Sequence, residues 1–280
     1  MKNKLYPCLW FDGHAKSAAE LYCKVFGNSQ ILNDTPMVVM FDLHGQKFMA
    51  LNGGPMYTPN PSISFYVICE TIEEVSHAWK DLLDGGSAMM PLDSYPWSEY
   101  YGWVQDKYGI NWQLSYGKMD DAHQKFSPTL MFTNDHVGMA EQAIKFYTSV
   151  FDNSSIVGIL RYAEDDNDAE GMVKLAEFRL GNYLFMAMDS SFMHQFSFNE
   201  AISFVVNCDS QEEIDYYWGK LTADGGQEGM CGWLKDKFGV SWQIVPTILH
   251  ELLSDPARSE RVTQAFLKMN KFDIELLKKA

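Results

Sequence analysis

Gln113 and Gln243 hold the same place in a phrase the chain uses twice, YGWVQDKYGINWQ at 101–113 and CGWLKDKFGVSWQ at 231–243. A glutamine has no charge to give and no proton to trade near neutral pH. It offers two N–H donors and one carbonyl acceptor. Its chemistry is therefore hydrogen bonding, either to a ligand or to a neighbouring backbone or hydroxyl group that needs a partner. Strand alternation places Ile110, Trp112 and Leu114 on one side and Asn111, Gln113 and Ser115 on the other. In the second phrase Val240, Trp242 and Ile244 oppose Ser241, Gln243 and Val245. The apolar side is expected to pack on helices, which leaves both glutamines on the open face. Ser62, Ser64 and Ser203, hydroxyls of the SISF and AISF phrases, join them as candidate ligand-binding groups. Trp103 and Trp233 are candidate walls, or cross-strand packing, since large aromatics dominate burial. Cys231 replaces Tyr101 of the first phrase, so the two copies share no thiol mechanism; no base stands near it, and it is expected to be inert.

The elements that must position these groups are duplicated as well. LYCKVFGNSQI (21–31) matches FYTSVFDNSSI (146–156), and GQKFMALN (45–52) matches GNYLFMAMD (181–189). SISFYVICETIEEV (62–75) matches AISFVVNCDSQEEI (201–214). The period is far beyond the roughly 20–50 residues of solenoid repeats and reads as a duplicated domain. Each copy runs strand–helix–strands, then strand–helix–strands. The first helix carries the stripe Ala18, Leu21, Tyr22, Val25, Phe26. The second opens with a capping box, Thr71 with Glu74 and Ser210 with Glu213. Asp106-Lys107-Tyr108-Gly109 is the turn of the closing hairpin. The polar segment 117–128 is the seam between copies. The expected domains are 1–119, 125–248 and a helical tail, 249–280. In the tail, Asp255 with Pro256 is expected to start a helix whose stripe is Val262, Ala265, Phe266 and Met269, and Asp273 starts the last one.

A chain of 280 residues has room for about two domains. With 46% hydrophobic residues it can bury a core. A net charge of −15 argues against nucleic acid and against an anionic membrane surface. It suits solubility and the attraction of a cationic small molecule. The 5 cysteines are odd in number, and no pair has zinc or thioredoxin spacing, so free thiols in the reducing cytoplasm are expected. No cleavable leader and no apolar stretch of membrane-spanning length is evident. The segment 87–101, SAMMPLDSYPWSEYY, is longer than its counterpart QEGMC and has the composition of a lid or contact surface. The acidic loop YAEDDNDAEG (162–171) lacks EF-hand spacing and is expected to be solvated.

The phrases CLWFDGHAKSAAELYCKVFGNS, FMALNGGP, ISFVVNCDSQEEID and CGWLKDKFGVSWQIVP resemble the PhnB-like branch of the vicinal oxygen chelate superfamily, which includes glyoxalase I, extradiol dioxygenases and bleomycin-resistance proteins. The resemblance implies an α+β fold of two tandem glyoxalase-like domains. Each is made of two βαβββ modules forming a curved, cup-like mixed sheet with helices outside. Asp189 and His194 then border the second cup, although a solvated loop histidine is the plainer reading of His194. The branch is often labelled 3-demethylubiquinone 3-methyltransferase. That activity is not expected, because neither LNGGP nor DGG forms a strand–turn–helix cradle for a cofactor. The superfamily's divalent metal needs three or four ligands converging on one point. Its ligand positions fall on Pro7, Ala50, Ser62 and Gln113 in the first copy and on Pro128, Ala187, Ala201 and Gln243 in the second. No metal and no cofactor are therefore expected. The leading expectation is a metal-free small-molecule-binding protein whose ligand is cationic or aromatic. Two alternatives stand beside it: a lyase, isomerase or dioxygenase acting on a small oxygenated substrate, and a chain in which only one domain binds. The tandem arrangement is expected to pair its domains internally, as single-domain relatives pair in dimers, giving a pseudo-symmetric monomer or a weak dimer of such units.

Overall fold

The computed structural model describes residues 4–119 and 124–280; His123 and part of the seam lie outside the described residues. Two compact units emerge, Leu9–Ala201 and Met1–Cys8 with Ile202–Ala280. Their boundaries do not coincide with those of the sequence copies. Strand β1 (Leu5–Phe11) contributes residues to each unit.

In the Leu9–Ala201 unit, the end of β1 is followed by α1 (Ala15–Phe26), β2 (Ser29–Asp34), β3 (Val38–Leu43) and β4 (Gln46–Asn52). A second run holds β5 (Ile63–Cys69), α2 (Ile72–Leu83), β6 (Ser87–Tyr95), β7 (Ser98–Gln105) and β8 (Asn111–Tyr116). A third holds β9 (Phe126–Phe132), α3 (Ala140–Val150), β10 (Ser155–Arg161), β11 (Val173–Leu180) and β12 (Tyr183–Asp189). The second and third runs build one eight-stranded mixed sheet in the order β10-β11-β12-β9-β5-β8-β7-β6. β5 meets β9 antiparallel, while β5–β8 and β9–β12 are parallel. The sheet therefore takes half its strands from each sequence copy, where the sequence suggests one cup per copy. Edge satisfaction accounts for this. β5 and β9 each end their own four-stranded half, and an unpaired edge would leave a row of N–H and C=O groups open.

Local sequence explains each element. Ala18, Tyr22, Val25 and Phe26 of the α1 stripe are buried, and Tyr22 and Phe26 rest on Trp112 with ring centroids 4.9 and 5.0 Å away. The Thr71 hydroxyl accepts the Glu74 N–H at 3.1 Å, and the Glu74 carboxylate reaches back to the Glu70 N–H at 2.8 Å. The turn after β7 is organised by one buried carboxylate: Asp106 accepts the Tyr108 and Ile110 N–H groups at 2.8 and 3.1 Å and the Trp112 indole at 2.9 Å. Gly109 supplies the φ of +87° that closes this turn. Gly102 has a different reason: a Cβ there would stand 2.6 Å from the Trp79 ring. That accounts for the glycine before Trp103 in the first repeated phrase.

The other unit carries β13 (Ile202–Cys208), α4 (Gln211–Leu221), β14 (Gln227–Glu228), β15 (Trp233–Lys235) and β16 (Ser241–Pro246). Its strands run β14-β15-β16-β13 and then the first residues of β1. Asp236 repeats the role of Asp106, accepting from Phe238 N, Val240 N and the Trp242 indole at 2.8, 3.1 and 2.8 Å. The tail forms α5 (Ile248–Ser254), α6 (Ser259–Phe266) and α7 (Ile274–Lys279). Asp273 caps α7 as expected, accepting the Leu276 N–H at 2.9 Å. Asp255 does not start a helix. It accepts the Ala257 N–H at 2.9 Å in a separate turn, and α6 begins only at Ser259.

Candidate functional site

The ladder registers fix which side chains share the sheet face opposite the helices. Tyr66 stands opposite Gln113 and Ser127, Ser64 opposite Thr129, and Trp103 opposite Gln113. Met186 and Met188 stand beside Thr129 and Met131, and Glu177 opposite Met186. The other face carries Phe65 opposite both Trp112 and Pro128, in the aromatic core beneath the helices.

Gln113 is the hub of the cup face. Its carbonyl accepts the Tyr101 hydroxyl at 2.8 Å, and its amide donates to Ser64 Oγ at 2.8 Å. The Trp103 indole donates to Asn111 Oδ1 at 3.1 Å, and the Ser98 and Ser115 hydroxyls lie 3.0 Å apart. Tyr101, Trp103 and Met131 form a buried cluster, with Tyr66, Met90, Tyr95, Met188 and Phe196 packed against it. Burial chiefly raises the Tyr101 and Tyr66 phenols above their ordinary range, and the Glu177 charge adds to the effect at Tyr66. These phenols are neutral hydrogen-bonding groups near pH 7. In the other unit the same logic recurs: the Gln243 amide donates to Ser203 Oγ at 2.9 Å, and Trp233 stands opposite Gln243. Cys8 adjoins both Gln243 and Ser203, and burial pushes its thiol up to about 12.

Of the candidate residues, the structure brings Gln113, Ser64 and Trp103 together in one set and Gln243, Ser203 and Trp233 in another. Ser62 is buried just before β5; its N–H is held by Asn60 Oδ1 at 2.8 Å and its carbonyl accepts the Met131 N–H at 2.8 Å. Asp189 does not border the cup. It is buried and accepts the Ala140 N–H at 3.1 Å and the Val173 N–H at 3.0 Å, so it caps α3 and ties β11 to β12. His194 bonds Ser190 Oγ at 2.9 Å and lies 4.7 Å from the Phe196 ring. Pro128 and Ala187, taken as ligand positions, lie on the helix face; Thr129 and Met186 occupy the cup face beside them. On β1 the residue next to Gln243 is Cys8, not Pro7. A strand slip of one residue turns every side chain over; on β9 Ser127 and Thr129, alternating with Phe126, Pro128 and Leu130, mark the cup face although the whole strand is buried. Tyr66 and Tyr101 were missed, although alternation from Ser64 and Trp103 points to both.

The implied divalent metal does not fit these donors. The four cup-face positions present Ser64, Gln113, Thr129 and Met186, all neutral, and the best two are bonded to each other. Among the described residues no group of three or more His, Cys, Asp or Glu side chains is placed to hold a metal ion. The cysteines support neutral chemistry too. Cys8, Cys69 and Cys208 have thiols pushed up to about 12 by burial, whereas Cys23 and Cys231 are half-buried. Alkylation needs the thiolate. Native protein treated with iodoacetamide at pH 8 is expected to label Cys23 and Cys231 first, with the other three labelled only after unfolding, as read by peptide mass spectrometry.

Comparison with known proteins agrees with this architecture. A family model described as 3-demethylubiquinone-9 3-methyltransferase matches residues 3–115 and again 124–245. A PhnB protein from Bacillus cereus is 35% identical over 40% of this chain and 98% of its own, with a TM-score of 0.38. Protein PA1353 from Pseudomonas aeruginosa is 22% identical over 39% of this chain and 93% of its own, with a TM-score of 0.35. Glyoxalase I from Zea mays, only 12% identical, covers 89% of this chain and 94% of its own with a TM-score of 0.58, a likeness of fold. No curated protein matches the chain. With its model matched twice in tandem, the chain belongs to the 3-demethylubiquinone-9 3-methyltransferase family, on a fold like that of glyoxalase I.

Proposed function

We propose that this chain is a small-molecule-binding protein that uses the vicinal oxygen chelate cup without the superfamily's metal. The observation that carries the reading is the Tyr101–Gln113–Ser64 chain. Gln113 stands at one of the expected metal-ligand positions, and both ends of its amide are committed to neutral neighbours. The surrounding wall of aromatic rings and thioethers suits an apolar body, and a few fixed polar groups suit orientation, the usual make-up of a small-molecule site. The methyltransferase label draws no support from the glycines. Gly53 and Gly54 follow β4 and lead into a loop before β5, and Gly85 and Gly86 follow α2 and lead into β6. Neither forms the strand–turn–helix cradle that brings a backbone close to a nucleotide-like cofactor.

The test is a thermal-shift screen of aromatic and cationic compounds on the full chain and on Gln113→Ala. Compounds that raise Tm in the native protein and not in the variant are expected. Stabilisation of both proteins alike, or of neither by any compound, would contradict the reading.

A further inference from the structure

The β6–β7 hairpin carries rings that the polar chain around Gln113 does not explain. Tyr101 lies 6.5 Å from Tyr66 at an interplanar angle of 30°, 5.6 Å from Tyr95 at 84° and 5.9 Å from Trp97 at 75°. Tyr95 and Trp97 are themselves stacked 5.0 Å apart. Tyr101 is buried, but Trp97 is 60% exposed, an uncommon place for an indole. The cluster thus runs from the cup floor to solvent. The hairpin itself carries charge of one sign. The segment 87–101 contains Asp93 and Glu99 and no Lys, Arg or His. Asp93 is exposed and stands opposite Tyr101 in the ladder. Glu177, on the same sheet face, acts electrostatically on Tyr66. Arg179, opposite Leu184 on β11, lies on the same sheet face as Glu177 and has an interaction of its own. The corresponding segment of the other unit, QEGMC, has no ring, and Cys231 replaces Tyr101.

Aromatic faces carry negative quadrupole charge and attract a cation placed over them, most strongly where several rings and a carboxylate converge. We propose that Tyr66, Tyr95, Trp97 and Tyr101 form a site for an organic cation, an alkyl- or arylammonium group, with Asp93 as its counter-charge. This rests on the reading of the cup as a small-molecule site and adds the class of ligand. Only one of the two glutamine-centred sets carries it.

The test is isothermal titration of the full chain with benzyltrimethylammonium and with benzyl alcohol, a neutral ligand bearing the same ring, at fixed ionic strength. The expected result is saturable binding of the cation at least tenfold tighter than of the alcohol. Trp97→Leu and Asp93→Asn are each expected to weaken the cation severalfold, and Asp93→Asn to leave the alcohol unchanged. Both replaced side chains are exposed, and an unchanged Tm confirms that the variants fold. Equal affinity for the two compounds, or a preference that survives both substitutions, would overturn the cation site while leaving small-molecule binding intact. Saturation by neither compound would overturn the cation site, and a thermal-shift screen that also finds no ligand would remove the binding reading beneath it.

Discussion

Asp106→Ala is expected to destabilise the protein by about 3 kcal/mol or more. The carboxylate holds three donors, two backbone N–H groups and the Trp112 indole, and each buried donor left without an acceptor costs about 1–3 kcal/mol. Trp112 is fully buried among Tyr22, Phe26 and Phe65, so water cannot replace the lost acceptor without opening the aromatic core. Asp236→Ala is expected to behave alike, because Asp236 holds the matching three donors. Denaturant unfolding of the two variants checks this. A loss below about 1 kcal/mol in either would mean that the turn is held by its glycine and backbone bonds alone.

Glu74→Ala and Glu213→Ala alter the same position of the repeat yet are expected to differ widely. Glu74 pairs with Lys125, whose side chain is only 4% exposed. Removing the carboxylate leaves an ammonium buried without its partner, at a cost of about 3–5 kcal/mol. Loss of the bond to the Glu70 N–H adds to it. Glu213 pairs with Lys4, which is 47% exposed and keeps Asp209 at 2.8 Å after the substitution. An exposed pair is worth at most about 1 kcal/mol, so Glu213→Ala is expected to lose little beyond its bond to the Asp209 N–H. The contrast also tests the cross-copy sheet, since Glu74 lies on α2 of the first sequence copy and Lys125 precedes β9 of the second. Equal losses in the two variants, measured by chemical denaturation, would contradict the burial of Lys125.

What the sequence made legible was local. The Thr71–Glu74 and Ser210–Glu213 boxes, the Asp106–Gly109 turn and the Asp273 cap depend on residues within a few positions of one another, and each formed as expected. The glutamines were assigned to the correct face because their strands alternate clearly. Pro128 and Ala187 fall on the other one: in β12 nearly every side chain is apolar and buried, so hydropathy carries no phase there, whereas in β9 the alternation of Ser127 and Thr129 with Pro128 and Leu130 already marks the cup face. The pairing of β5 with β9 was beyond reach for another reason: it joins two sequence copies, and either copy's strands have equal apolar character to offer. Asp189 illustrates the same limit. Its type suggested a ligand, but its function as a cap depends on Ala140 and Val173, which are distant in sequence and adjacent only in the fold.

Metal analysis tests the central claim most directly. The full chain is supplied in turn with Ni, Zn, Mn and Fe, dialysed, and measured by inductively coupled plasma mass spectrometry, alongside Gln113→Ala. A cup built from Ser64, Gln113, Thr129 and Met186 predicts no retained metal above trace levels in either protein. One ion per chain, held through dialysis and lost in Gln113→Ala, would show that Gln113 and its neighbours hold a metal and would contradict a metal-free cup.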